Sequence, residues 1–310
     1  MKRRMNTMMM SMFGVAIIGL ALAASSAQAA ELIVYEGFDL TDRANGADLD
    51  GSAGGSSSIG LTGTWETTAA NNMTYQSSGL SWTYEDPDVS PVGGAVNSGQ
   101  TSQGYVKGGR NLPALSGSTV WGSFLTKGSA LTGPGSPLGL PVGGTTLDSL
   151  YGEFCIEPKG YNSQSTIAVD ATARLNATAG SSWMSVNTTY MALFKIDNIN
   201  VDGADVGVSL WLMTQGQYDN LIRRGVSEDV LEAGLNSATL GTADSQLWGR
   251  VRGNYDLAPG NAVSWAAGHW LRMINNTANN AVTFDEIRLA TTLGAAAVIP
   301  KPKGTVVFIR

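Results

Sequence analysis

The first question for this chain is whether any two of its acids face each other. A retaining glycosidase needs two carboxyl groups about 5 Å apart. Glu153 and Glu157 lie four residues apart in a strand-like stretch, on one face but about 13 Å apart by strand rise. Asp285 and Glu286 are neighbours, and a regular strand turns neighbours to opposite faces. His269 is the only histidine, which removes histidine metal triads and argues against a Ser-His-Asp relay. Cys155, the only cysteine, sits between Phe154 and Ile156 and reads as a packed small hydrophobe rather than a nucleophile. Clustered loop acids, Asp48 with Asp50 and Asp86 with Asp88, offer hard oxygen ligands for a structural calcium. Neither cluster has the later ligands or the closing bidentate Glu of a full calcium loop. Solvated turn acids are the simpler reading, and no other cofactor is implied. The best binding chemistry is aromatic: among eight Trp, Trp183, Trp211 and Trp248 are the candidates to stack on sugar rings.

Those residues must be held by strands. Period-2 alternation is clearest from Thr189 to Asp197, where Tyr190, Ala192, Phe194 and Ile196 share a face. In Val206 to Met213 the residues Val208, Leu210 and Leu212 face together, leaving Trp211 on the opposite side. A third alternation runs from Ile167 to Leu175. Further strands are expected at Leu32–Phe38, Leu80–Tyr84, Thr119–Thr126, Leu150–Glu157, Trp270–Ile274 and Val282–Ala290. Gly93-Gly94, Gly108-Gly109 and Asn275-Asn276 read as turns between them. Helical spacing occurs only from Gln215 to Gly234, where Ser227 offers an N-cap. Two short helices are expected there, as a surface embellishment or as a lid over a groove. The expected fold is all-β: an antiparallel two-sheet sandwich with a short helical insertion. Pairing the first strand beside Val282–Ala290 would bring the domain ends together and protect both edges.

A basic head (Lys2, Arg3, Arg4), a short apolar core (Met12 to Ala24) and Ala27-Gln28-Ala29 form the pattern of a signal peptide. The apolar run falls short of the about 20 residues a spanning helix needs. An exported protein is expected, cleaved near Ala29 or Ala30. Removal of that leader leaves 16 basic residues (19 less three) against 25 acidic ones, a formal net charge of −9. Such a balance argues against nucleic acid or anionic lipid as partner. The expected organisation is a leader over 1–30, one sandwich domain over 31–292 and a tail over 293–310.

Several segments follow one another in a telling order. They include Tyr35-Glu36-Gly37-Phe38-Asp39, Gly63-Thr64-Trp65 and Val120-Trp121-Gly122-Ser123-Phe124-Leu125. Leu193-Phe194-Lys195-Ile196-Asp197 and Phe284-Asp285-Glu286-Ile287-Arg288-Leu289 complete the series. Together they resemble the exported bacterial laminin-G-like, concanavalin A-like jelly-roll proteins that carry a Pro-Glu-Pro sorting tail. The resemblance implies a jelly roll. The tail departs from that pattern: Val298-Ile299-Pro300-Lys301-Pro302-Lys303 stands where the sorting motif belongs, so no stable membrane span is expected in the mature chain. On this basis the chain reads as a secreted, non-enzymatic module of the cell surface or extracellular matrix, binding extracellular polysaccharide. A polysaccharide hydrolase or lyase using Glu153 or Glu157 is the rival, and a purely structural matrix protein is the third reading.

Overall fold

The computed structural model describes residues 32–68, 73–86, 89, 91, 93–99, 106–128, 138–140, 154–156, 164–168, 174–178, 185, 187–232, 235–236, 249–255, 264–275 and 281–299. The first strands are β1 (Leu32–Glu36), β2 (Thr62–Thr67), β3 (Met73–Gln76), β4 (Ala95–Ser98), β5 (Val106–Asn111) and β6 (Val120–Gly128). Then come β7 (Leu138–Leu140), β8 (Phe154–Ile156), β9 (Gln164–Ala168), β10 (Arg174–Thr178), β11 (Tyr190–Asp197) and β12 (Val206–Met213). Two helices, α1 (Gln215–Arg223) and α2 (Glu228–Glu232), precede β13 (Leu235–Asn236), β14 (Gly249–Tyr255), β15 (Trp270–Asn275), β16 (Val282–Ala290) and α3 (Leu293–Ala297).

Among the described residues the strands form two packed sheets and a separate hairpin. The larger sheet has nine strands in the order β13-β14-β12-β11-β6-β16-β4-β3, with β1 also paired to β16. The smaller runs β2-β5-β15-β7-β8, and β9 pairs with β10. Every pair is antiparallel except β13 with β14. The fold is the expected β-sandwich, with β1 beside β16 as anticipated. The alternation from Ile167 to Leu175 is a hairpin rather than one strand: Leu175 returns to lie opposite Ile167.

Alternation decides the core. Tyr190, Ala192, Phe194 and Ile196 of β11, and Val206, Val208, Leu210 and Leu212 of β12, turn inward onto Phe124, Phe284, Leu271 and Met273. Gly122 is required at the centre of β6, because a Cβ there would lie 2.1 Å from the Phe194 ring. The opposite face of the larger sheet is apolar too. Trp121, Leu125, Met191, Leu193, Trp211 and Met213 pack under Tyr218, Leu221, Leu231 and Ala295–Ala297. The helices therefore form a third layer, roofing the larger sheet. Thr214 caps α1 through a capping box with Gln217, whose side chain accepts from the Thr214 N–H at 2.8 Å. The packed body runs past Thr292: Thr292 caps α3, Ser123 Oγ donates to the Ala296 carbonyl at 2.6 Å, and the Tyr218 hydroxyl donates to Ala297 and Val298.

Candidate functional site

The smaller sheet has a different outer face. Leu271 and Met273 of β15 point into the core, so Trp270, Arg272 and Ile274 point out. On β5, Arg110 reaches inward to Glu36, and a Cβ on Gly108 would touch Met73 of the core. Lys107, Gly109 and Asn111 therefore share the outer face. The register sets Lys107 opposite Ile274, Gly109 opposite Arg272 and Asn111 opposite Trp270. Lys107 and Arg272 are thus diagonal neighbours, with backbones about 7–8 Å apart. On either side of Arg272 the register places a glycine, Gly109 on β5 and Gly139 on β7. Beyond Gly109 comes Glu66 of the edge strand β2. Lys107, Arg272 and Trp270 are buried, Asn111 is half-buried, and Glu66 and Thr62 are exposed. The Asn111 Oδ1 is sealed without a hydrogen-bond partner. This face thus carries two cations and an indole, all three buried and engaged, with an exposed acid at its edge.

The inner side of β5 carries a pair that ties the two sheets together. Arg110 Nη1 donates to Glu36 Oε2 at 3.0 Å, and Glu36 also accepts from the Phe38 and Gly55 amides. Burial raises the Glu36 pKa against the pull of Arg110, and burial lowers that of Arg110 against the pull of Glu36. Desolvation outweighs attraction in both, as expected of an ion pair in a core. Gly54 must be glycine here. Its φ is +88°, and a Cβ would overlap the Arg110 guanidinium.

A second buried network lies where β16 meets the roof of the larger sheet. A bulge between Asp285 and Arg288, with Glu286 at φ +51°, turns Asp285, Glu286 and Arg288 to one side. The expectation that Asp285 and Glu286 oppose each other is corrected by that bulge. Glu286 accepts from the Tyr35 hydroxyl at 2.9 Å, from the Tyr84 hydroxyl at 3.4 Å and from Arg288 Nη2 at 2.8 Å. Arg288 also lies over the Tyr35 and Tyr84 rings. Asp285 accepts the Leu80 and Glu286 amides, each at 2.7 Å. Burial, then the charge of Glu286, holds the Asp285 pKa well above the carboxylate range, and burial chiefly raises both tyrosines. These acids are sealed and engaged: they anchor the strap over 77–86 to the sheet. The expected strand at Leu80–Tyr84 is this strap, not a strand.

The other sequence candidates fall as follows. Trp211 is corrected from a stacking platform to a core residue: it is fully buried and stacks on Trp121 at 5.7 Å. Trp183, Trp248, Asp88, Glu153 and Glu157 lie outside the described residues. Asp48 Oδ1 accepts from the Asp50 amide and Asp50 Oδ1 from Thr67, while Arg43 donates to the carbonyls of Asp48 and Asp50. A guanidinium thus already engages that loop's carbonyl oxygens. Among the described residues no three His, Cys, Asp or Glu side chains are grouped to hold a metal, and Asp86 is a half-buried member of the strap. His269 is buried, with its pKa lowered by burial and its Nδ1 unpaired. Sequence reasoning missed Lys107, Asn111 and Arg272. The β5 stretch Val106–Asn111 was hidden because Gly108-Gly109 reads as a turn, yet its side chains alternate as cleanly as those of β15.

No protein-family model matches the sequence, and no curated protein matches it. Among solved structures the fold is similar to a PL-14 alginate lyase from Aplysia kurodai, with 10% identity over 73% of this chain and 89% of that one (TM-score 0.43). It is also similar to a protein of unknown function from Shewanella oneidensis MR-1, with 15% identity over 74% and 88% (TM-score 0.33). A substituted alginate lyase Aly36B bound to alginate trisaccharide matches with 8% identity over 83% and 98% (TM-score 0.30). At these values no residue role transfers from them to this chain. The matches include alginate lyases, so the expectation of a non-enzymatic module finds no support in them. That expectation rested on the absence of an acid pair, a metal triad and a nucleophile relay, and the acid pair is a requirement of hydrolysis by retention and not of elimination. Among the described residues no helix is long and apolar enough to cross a membrane.

Proposed function

We propose that this chain is an exported polysaccharide lyase that cleaves an acidic, uronate-containing polysaccharide on the outer face of its smaller sheet. Lys107 and Arg272 carry this reading: two cations on adjacent strands, on one face of an otherwise acidic protein. In β-elimination a base takes the proton beside the sugar carboxylate, the carbon–oxygen bond to the next sugar breaks, and a carbon–carbon double bond forms between the two ring carbons. The leaving oxygen takes up a proton. Charge accumulates on the carboxylate as the proton departs, so a fixed cation against it lowers the barrier. Arg272 suits that role because its planar guanidinium can clamp a carboxylate through two bonds, once the sugar has displaced what buries it. Lys107, one diagonal away, is the candidate for proton transfer. Trp270 supplies an apolar surface and Asn111 an amide for sugar hydroxyls. The similarity in fold to alginate lyases agrees with this chemistry, and the leader at Lys2 to Ala29 agrees with export.

The test is incubation of the purified protein with polyuronates, sulfated glycans and neutral glucans, following the ultraviolet absorbance of the unsaturated product. Absorbance should rise with polyuronates alone. Lys107→Met and Arg272→Lys should each lower the rate about 10²–10³-fold with circular dichroism unchanged. Full activity in both variants, or reducing ends formed without the double bond, would refute the elimination.

A further inference from the structure

Asn45 is the only asparagine of the chain that is followed by glycine. In such a pair the glycine nitrogen, with no side chain to hinder it, can attack the asparagine carboxamide. The nitrogen gives up its proton and bonds to Cγ, the carboxamide nitrogen takes up a proton and leaves as ammonia, and a succinimide ring closes. Water then opens the ring at either carbonyl, giving aspartate, or isoaspartate with the main chain rerouted through the side-chain carbons. The fold holds both reacting groups. Ala44 to Ala47 form a turn closed by the Ala47 N–H on the Ala44 carbonyl at 3.0 Å, with Gly46 at φ +82°. Asn45 and Gly46 are exposed, yet the Gly46 N–H donates to the Tyr75 carbonyl at 2.7 Å. The Asn45 Oδ1 accepts from the Ser77 amide at 2.9 Å and from the Ser77 hydroxyl at 3.3 Å.

The same turn begins a segment that covers the free edge of β3. That strand ends the larger sheet, with β4 on its other side. In step with the Gly46 bond, the Tyr75 N–H donates to the Ala47 carbonyl at 2.8 Å and the Leu49 N–H to the Met73 carbonyl at 2.8 Å. Leu49 is fully buried and anchors the far end, so opening begins at the exposed turn. We propose that Asn45 is a self-modification site gated by that opening: the Gly46 nitrogen is released for attack only when the turn peels from β3, and the isoaspartate formed keeps it from returning. An added main-chain carbon between residues 45 and 46 displaces the Gly46 N–H from the Tyr75 carbonyl, and hydrogen bonds weaken steeply with such misalignment. The upper edge of β3 is then left with unpaired backbone groups, which other strands can claim. A brief local opening thereby becomes permanent.

The experiment ages the purified full chain at mildly alkaline pH in buffer, in sub-denaturing urea and in denaturing urea. Peptide mapping by mass spectrometry reads the conversion of Asn45, with aspartate and isoaspartate separated by chromatography. Amide hydrogen exchange is followed at Gly46 and Tyr75. Conversion in buffer should be at least about tenfold slower than in the unfolded chain, and it should quicken with sub-denaturing urea in step with exchange at Gly46. In the isoaspartate form the Tyr75 amide should exchange at least about tenfold faster than in fresh protein. Equal rates in the folded and unfolded chain would overturn the gating, as would conversion that ignores the exchange rate. An unfolded chain that does not convert at all would overturn the site itself. Asn45→Asp supplies the charge without the longer backbone, so its Tyr75 exchange should stay within about threefold of fresh wild type. Equal loosening in Asn45→Asp, or an isoaspartate form as protected as fresh protein, would overturn the claim that the added carbon holds the turn open.

Discussion

The two outer faces of this sandwich obey the same alternation and end in opposite roles. On the larger sheet the outward positions are Trp121, Leu125, Leu193, Trp211 and Met213, and three helices with the 77–86 strap seal them. On the smaller sheet they are Lys107, Gly109, Asn111, Trp270 and Arg272. Strands apolar on both sides demand a cover, because apolar area left in water costs about 25 cal/mol per Å². Strands that turn cations and glycines outward demand a counter-charge instead. The chain has therefore used its helical insertion as structure. The insertion, expected as a surface embellishment or a lid over a groove, is a roof over a second core, and the proposed binding face lies on the other sheet.

The largest effect should come from cutting that roof's foundation. Trp211→Ala removes a fully buried indole stacked on Trp121 and should cost about 3–5 kcal/mol in urea denaturation. Turnover per folded molecule should stay at the wild-type level, since Trp211 faces away from the smaller sheet. Trp270→Ala removes another buried indole and should also cost stability, but it alone should lower polysaccharide binding per folded molecule. If Trp211→Ala lowered turnover per folded molecule as well, the two faces would not be separate in function.

How much of this the sequence reveals depends on how many faces of a strand carry a distinctive signal. The inward faces of β11 and β12 were legible residue by residue, because Tyr190, Phe194, Val208 and Leu210 form unbroken alternations. The outward faces misled. Trp211 looked exposed because periodicity shows only that it opposes Leu210 and Leu212, not that α1 and α3 will cover it. The β16 bulge is equally silent. One left-handed residue, Glu286, rotates a carboxylate through the sheet and turns an apparently split acid pair into one buried cluster. Glycines misled in β5, where Gly108 is fixed by its approach to Met73 rather than by a turn. The candidate site was lost for that reason: without β5 as a strand, Lys107 and Arg272 have no reason to meet.

The buried acid cluster under the strap sharpens the comparison through pH. Asp285 has a folded-state pKa raised above its ordinary 3.8, by burial first and by Glu286 second. In that case the folded protein binds more protons than the unfolded chain once pH exceeds 3.8. The contribution is full below that value and is lost as pH climbs to the folded-state pKa. The urea midpoint of wild type should therefore fall, relative to that of Asp285→Asn, as pH rises from 3.8. Comparing the two proteins cancels the opposing influence of Asp39, whose hydrogen bonds from Ser56 and Ser57 lower its pKa. A midpoint difference constant with pH would mean that Asp285 ionises normally, and the roof would then not depend on a protonated anchor.

The smallest effect tests how the strap is fastened at its exposed end. The Gln215 carboxamide accepts from the Thr83 amide at 2.9 Å and donates to the Thr83 carbonyl at 2.8 Å. One side chain thus imitates a strand partner, and it joins the start of α1 to the strap. Its nitrogen also donates to Asp219 at 2.8 Å. Because the pair is exposed, water replaces it readily, and Gln215→Ala should cost only about 0.5–1.5 kcal/mol. The informative readout is local. Amide hydrogen exchange at Thr83 and Tyr84 should quicken, while Leu80, held by buried Asp285, should keep its protection. Quickening along the whole strap would show that α1 and the strap open as one unit, and the roof would then be a single cover fastened at its rim. Exchange confined to Thr83 would place the hold in the Asp285–Glu286–Arg288 cluster, beneath a roof whose rim is free to breathe.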